Sequence, residues 1–176
     1  MPYDPRRHNR QSMRLPDYDY AQPGAYFVTI CTANRAHLFG HILEGVMRCN
    51  DIGQIVEDEW ERTPEVRSNV KLDAYVVMPD HMHAIAVITH RMDPRGESQF
   101  APGERKFESP SHTVGAIVRG FKGAATRRIN VHRGTPGQSV WQRNYHVRII
   151  RTQRALHRIR RYIKRNPAQW DRDHNQ

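Results

Sequence analysis

Residues 75–89, YVVMPDHMHAIAVIT, decide the fold. Apolar and β-branched residues flank Pro79-Asp80 on both sides, the signature of strand, turn and strand. A strand alternates faces with period two, so His81 and His83 share one face and Met82 takes the other. Two imidazoles side by side suit a single metal ion. A histidine on a buried strand needs a partner for each ring nitrogen. Two core histidines bonded to backbone carbonyls or to Asp80 would also meet that demand. On spacing alone both readings stand.

Outward from this stretch the chain reads as alternating strands and helices. Ala25–Arg35, AYFVTICTANR, is a β-branched and aromatic strand. His37–Arg48 reads as its hairpin partner, with Gly40 and Gly45 as bulge or turn points. Asn50 or Asp51 caps a helix whose Ile52, Ile55, Val56 and Trp60 follow helical spacing, and Pro64 ends it. Its acidic face (Glu57, Asp58, Glu59, Glu61) reads as solvated. Val70–Val77 and Met82–Ile88 are neighbouring strands, and Arg91–Ser109 is a Pro-, Gly- and Ser-rich loop. Ser111 or Thr113 caps a helix with Val114, Ile117, Val118, Phe121 and Ala125 on one side. Val140–Arg151 reads as strand or extended segment. Thr152 opens a last helix that Pro167 is expected to stop at Asn166. This order predicts an α+β fold, an antiparallel sheet with packed helices. Residues 1–23 form a basic arm, 24–170 a single domain and 171–176 a tail.

The chain has 176 residues and a net charge of +10. Residues 1–100 carry 11 Lys+Arg against 14 Asp+Glu, whereas residues 101–176 carry 17 against 4. No acidic residue lies between Ser109 and Trp170. So basic a half points to a polyanion, and the interleaved Trp, Tyr and His fit nucleic acid better than membrane. No apolar run has membrane-spanning length, and the N-terminus lacks the apolar core of a signal peptide. Cys31 and Cys49 alone imply no disulfide framework, in keeping with a reducing cytoplasm.

Metal-assisted phosphodiester chemistry also needs a nucleophile, and a tyrosine can supply one. Tyr145 and Tyr162 are the candidates left once the arm and strand tyrosines are set aside. On the last helix, with Leu156 at zero and steps of about 100°, Ile163 falls near 340° and Ile159 near 300°. Asn166 then lies near 280° and Tyr162 near 240°, an i, i+4 pair bordering the apolar stripe. His157, Arg158, Arg160, Arg161, Lys164 and Arg165 fill the opposite arc. An amide one turn from a tyrosine hydroxyl can complete the shell of a hard cation. A boundary tyrosine and an asparagine closing the helix before Pro167 would leave the same pattern.

Taken together, AYFVTICTANR, LFGHI, YVVMPDHMHAIAVI, TVGAIVRGFKGAATRRI, VWQRNYHVRIIR and RYIKRNP, in that order, resemble the REP-associated tyrosine transposases. These belong to the HUH (His-hydrophobe-His) single-strand endonucleases. The resemblance spans roughly Arg14 to Trp170. It implies a ferredoxin-like or RNA-recognition-like domain with the His pair on a central strand and the nucleophile on the C-terminal helix. It further implies His81 and His83 as ligands of Mg²⁺ or Mn²⁺, Tyr162 as nucleophile and Asn166 as a third ligand-side group. Insertion-sequence relatives place a longer Gln where Asn166 stands. The implied reaction is cleavage and rejoining of single-stranded DNA beside a palindromic hairpin, through a 5′-phosphotyrosine, in the cytoplasm on nucleoid DNA.

For the DNA itself we expect phosphate contacts from Arg119, Lys122, Arg127, Arg128, Arg143, Arg158, Arg161 and Arg165. Trp141 and Tyr145 are the expected base-stacking residues. Monomer and homodimer both stay open, because related enzymes exchange tyrosine helices between subunits. Two rival readings use the same residues. One is a domesticated, non-catalytic regulator that binds hairpins; the other is a nuclease that uses water as nucleophile.

Overall fold

A computed structural model describes residues 18–91 and 112–174. The start of the basic arm, the Ser111 cap, nearly all of the Arg91–Ser109 loop and the last tail residues lie outside the described residues. In chain order the elements are β1 (Gly24–Cys31), β2 (Gly40–Leu43), β3 (Val46–Cys49), α1 (Asp51–Glu61), α2 (Thr63–Val66), β4 (Val70–Met78), β5 (His81–Ile88), α3 (Val114–Arg133), β6 (His146–Ile150) and α4 (Gln153–His174). Four strands form one antiparallel sheet in the order β4-β5-β1-β6. That is the ferredoxin-like order, with the His pair on a central strand as expected.

Parity along the central strands builds two layers. Tyr26, Val28 and Ile30 of β1 and Met82, Ala84 and Ala86 of β5 join the larger core, with Val56 and Trp60 of α1 and Ile117, Phe121 and Ile129 of α3. The other face carries Phe27 and Ile85, covered by Ile159 and Ile163 of α4. His81 and His83 have the parity of Ile85, so they open beneath α4. Both helix starts follow the capping signals in the sequence. Asn50 Oδ1 accepts from Gly53 N at 2.9 Å, and Thr113 Oγ1 accepts from Ala116 N at 3.2 Å.

Three expectations change. First, His37–Arg48 does not extend the main sheet; β2 and β3 pair only with each other. Glu44 and Gly45 both have positive φ (51° and 71°), the two-residue turn whose twist matches a hairpin. Second, the acidic face of α1 is not all solvated. Glu59 is 9% exposed and accepts from Arg128 Nη1 at 2.8 Å, while Arg128 Nη2 reaches Asp58 at 3.1 Å. Arg128 thereby ties α3 to α1.

Third, α4 runs through Pro167 to His174 instead of ending at Asn166. Proline removes one helical hydrogen bond and crowds the preceding turn, but tertiary contacts hold the extension. Asp171 Oδ2 accepts from Gly45 N at 3.0 Å, and the Trp170 ring lies 5.8 Å from His37 and 5.6 Å from His81, centroid to centroid. Near the other end, Arg160 makes a bidentate pair with Asp73 of β4, Nε to Oδ1 at 2.8 Å and Nη2 to Oδ2 at 2.5 Å.

Ile163 is 2% exposed and is the main apolar anchor of α4. Truncating such a residue leaves a cavity, so Ile163→Ala should cost about 2–5 kcal/mol in denaturant unfolding. Val131, on α3 and 79% exposed, is the control, and Val131→Ala should stay within about 0.5 kcal/mol of the parent.

Candidate active site

A cleft of about 600 Å³ lies between the sheet and α4, with His81, His83, Tyr162 and Asn166 among its lining residues. Strand pairing sets its floor: Cys31 lies opposite His81 and Thr29 opposite His83. His81 Nδ1 is 2.5 Å from Asp80 Oδ1, and His83 Nδ1 is 2.8 Å from Thr29 Oγ1. Burial works to raise the Asp80 carboxyl. The hydrogen bond from His81 and the charges of His81 and Arg35 outweigh it, so Asp80 is held below the usual carboxylate range. A carboxylate only accepts, which makes His81 Nδ1 the donor and leaves Nε2 to face the cleft.

The two Nε2 atoms meet at 3.2 Å, and the Tyr162 hydroxyl is 3.1 Å from His83 Nε2. Phe27 fixes this corner, stacking on His83 at 5.3 Å and meeting Tyr162 edge-on at 6.2 Å. Asn166, one turn after Tyr162, is 8% exposed and lines the same cleft.

This donor set fits a divalent cation. Two nitrogens held about 2.1 Å from one ion at right angles would stand about 3.0 Å apart. The His81–His83 spacing of 3.2 Å is close to that. With its Nδ1 proton committed to Asp80, His81 turns an Nε2 lone pair towards this volume, and His83 Nε2 and the Asn166 amide line the same cleft. Among the described residues no group of three or more His, Cys, Asp and Glu converges as a metal site. The candidate centre is therefore two imidazoles plus an amide.

The other expected DNA-contacting residues are dispersed. Arg143, Arg158, Arg161 and Arg165 are exposed, the last three on the helix that carries Tyr162. Arg119 and Arg127 are exposed on α3, away from the cleft. Arg128 is committed to Glu59 and Asp58, and Lys122 Nζ donates to the carbonyls of Gln142 and Arg143. Trp141 does not present its ring to a base: it is 6% exposed and packs on Phe39 and Phe121. Tyr145 is half-buried against the same core. Those four side chains serve the fold: Arg128 and Lys122 tie α3 to α1 and to the 142–143 segment, and Trp141 and Tyr145 pack that segment on the core.

Sequence reading missed Thr29, Arg35 and Trp170 in the cleft wall. Parity along β1 marks the face of Thr29, but its pairing with His83 needs the register of β1 on β5. Trp170 enters only because α4 continues past Pro167.

No protein-family model matches the chain. Among solved structures it resembles a REP-associated tyrosine transposase bound to a REP hairpin, with a TM-score of 0.60 and 18% identity over 89% of this chain and 73% of that one. A candidate transposase from Deinococcus radiodurans R1 superposes at a TM-score of 0.48 with 18% identity, covering 86% of this chain and 95% of that one. The chain thus has a REP-associated tyrosine transposase-like fold. It is 38% identical over 170 residues to an uncharacterized protein of Haemophilus influenzae, a match that takes in 94% of this chain and 92% of that one. The chain belongs to one family with that protein.

Burial, then the charges of His81 and Arg35, push His83 down to about 3 in the metal-free protein. The unfolded chain takes up that proton near pH 6.5, and the folded chain does not until about pH 3. Stability is therefore full above pH 6.5 and falls as pH drops through that window, by about 1.4 kcal/mol per unit at most. Chelator-treated protein should lose about 2 kcal/mol from this group between pH 7 and pH 5. In denaturant unfolding, His83→Gln should shrink the pH 7 to pH 5 difference by that amount; parallel profiles would refute the assignment.

Proposed function

We propose that this chain is a metal-dependent single-stranded DNA endonuclease and strand transferase. Its substrate would be palindromic, REP-type hairpin DNA, and its intermediate a 5′-phosphotyrosine. One observation carries the reading: the Tyr162 hydroxyl stands 3.1 Å from the same His83 Nε2 that lies 3.2 Å from His81 Nε2. Nucleophile and ligand pair share one point although about eighty residues separate them. The neighbouring fold of a transposase bound to a REP hairpin supports DNA of this kind as the partner.

His81 and His83 would hold the cation through Nε2, with Asn166 as the third protein group. Asp80 fixes the His81 tautomer from behind, and Thr29 orients the His83 ring through Nδ1. Mg²⁺ or Mn²⁺ in such a place supplies polarisation of a phosphoryl oxygen and an offset to transition-state charge. Imidazoles suit Mn²⁺ better by softness, while Mg²⁺ suits oxygen donors.

Tyr162 Oη attacks the scissile phosphorus in line. Its O–P bond forms as the bond to the 3′ oxygen breaks; the phenol proton passes to solvent, and the leaving oxygen takes one up. Tyr162 is 42% exposed, which gives that proton a path and a DNA strand access. The phosphotyrosine keeps the ester energy, so attack by a 3′-hydroxyl rejoins strands with no nucleotide cofactor. Arg158, Arg161 and Arg165 beside it would hold backbone phosphates, which makes binding salt-dependent.

A single-turnover assay tests this. End-labelled hairpin DNA with a single-stranded flank is incubated with protein and Mn²⁺ and run on a denaturing gel. We expect a covalent adduct that Tyr162→Phe abolishes, that EDTA prevents, and that His81→Ala or His83→Ala lowers by at least about 100-fold. Cleavage that survives in Tyr162→Phe would point to water as nucleophile. Binding with no cleavage would point to a regulator.

A further inference from the structure

The segment after β1 is strained in one place. Residues Ala33–Arg35 form a single 3₁₀ turn in which Asn34 and Arg35 have φ of 55° and 56°. Asparagine visits this left-handed region with some ease, but consecutive residues there, one of them arginine, are uncommon. Such backbone persists where its surroundings impose it, and it concentrates at functional sites. Here Thr32 imposes it: Oγ1 donates to Ala36 O at 2.8 Å and to Asp80 O at 3.0 Å, and Ala33 N donates to Val140 O at 2.9 Å.

The strained turn delivers one side chain to the cleft. Arg35 Nε lies 3.2 Å from Asp80 Oδ2, and Nη1 donates to Cys31 Sγ at 2.9 Å. A guanidinium has five N–H donors. With two used, three have no protein acceptor among the described residues. The side chain is 53% exposed and lines the cleft that also holds His81, His83, Tyr162 and Asn166. Asp80 is buried and already covered by His81, so it does not consume the whole positive charge of Arg35. Asp173 is the carboxylate among the lining residues of the cleft.

We propose that Arg35 is the phosphate clamp of this site. Its free N–H edge donates to a non-bridging oxygen of the phosphodiester that Tyr162 attacks. The planar fork matches two oxygens of a phosphate, and it keeps its charge and all its protons throughout the step. The Tyr162–phosphorus bond forms, the bond to the 3′ oxygen breaks, and Arg35 binds the added negative charge in the transition state. This inference rests on the transesterase reading above and adds the group that recognises the reacting phosphate.

Arg35→Ala and Arg35→Lys are compared with Asp80→Asn and the parent in three measurements. These are adduct formation on hairpin DNA, the same rate at saturating Mn²⁺, and Mn²⁺ affinity without DNA by electron paramagnetic resonance. We expect both Arg35 variants to lose about 100-fold or more in adduct rate, with the loss persisting at saturating Mn²⁺. Free guanidinium ion should partly restore Arg35→Ala. Asp80→Asn, acting through His81, should instead weaken Mn²⁺ binding and recover at saturating Mn²⁺. If saturating Mn²⁺ restores Arg35→Ala, Arg35 acts only by holding Asp80 and the clamp is overturned. An adduct rate unchanged in Arg35→Ala and Arg35→Lys overturns the clamp alone. A parent protein that forms no adduct overturns the transesterase reading and the clamp with it.

Discussion

Everything at the site depends on where two imidazoles are made to turn. Asp80 and Thr29 occupy the Nδ1 side of His81 and His83, so both Nε2 atoms face the same small volume at 3.2 Å. Neutral nitrogens do not approach this way without a proton or cation to share. The arrangement is stored in the tight Pro79-Asp80 turn and in strand register. Asp80 adjoins His81 in sequence, and Thr29 lies opposite His83 because β1 pairs antiparallel with β5.

The second constraint is the seat of α4. Ile159 and Ile163 bury one stripe, and the Arg160–Asp73 pair fixes the helix against β4 where the pairing of β4 with β5 shifts register between Leu72 and Tyr75. This seating brings Tyr162 to His83 and buries Asn166. The passage through Pro167 adds Trp170 over His81 and ties the helix to the β2–β3 turn at Gly45. The small hairpin thus serves as a stop for the end of the tyrosine helix, although it adds nothing to the main sheet.

Charge is divided between fold and surface. Arg128 and Arg160 are committed within the molecule's own ion pairs, each against carboxylates of another element. Lys122 caps the carbonyls of the 142–143 segment. Arg143, Arg158, Arg161 and Arg165 remain exposed. Among the described residues, only part of the basic excess in the second half is therefore left unpaired on the surface. No helix among the described residues is long and apolar enough to cross a membrane.

The sequence by itself determined what depends on period and local chemistry. The β5 pattern put His81 and His83 on one face, Asn50 and Thr113 announced their helices, and the helical wheel paired Tyr162 with Asn166 at the edge of the apolar stripe. These follow from geometry within one element, which residue spacing encodes directly. Tertiary structure decided the rest. It continued α4 through Pro167, where Asp171 pairs with Gly45 and Trp170 packs on His37 and His81. It buried Trp141 against Phe39 and Phe121 and committed Arg128 to Glu59 and Asp58, because each joins elements far apart in the chain. It also brought Tyr162 to His83 and set Arg35 in the cleft wall, since contacts between distant residues depend on register and packing that no local spacing records.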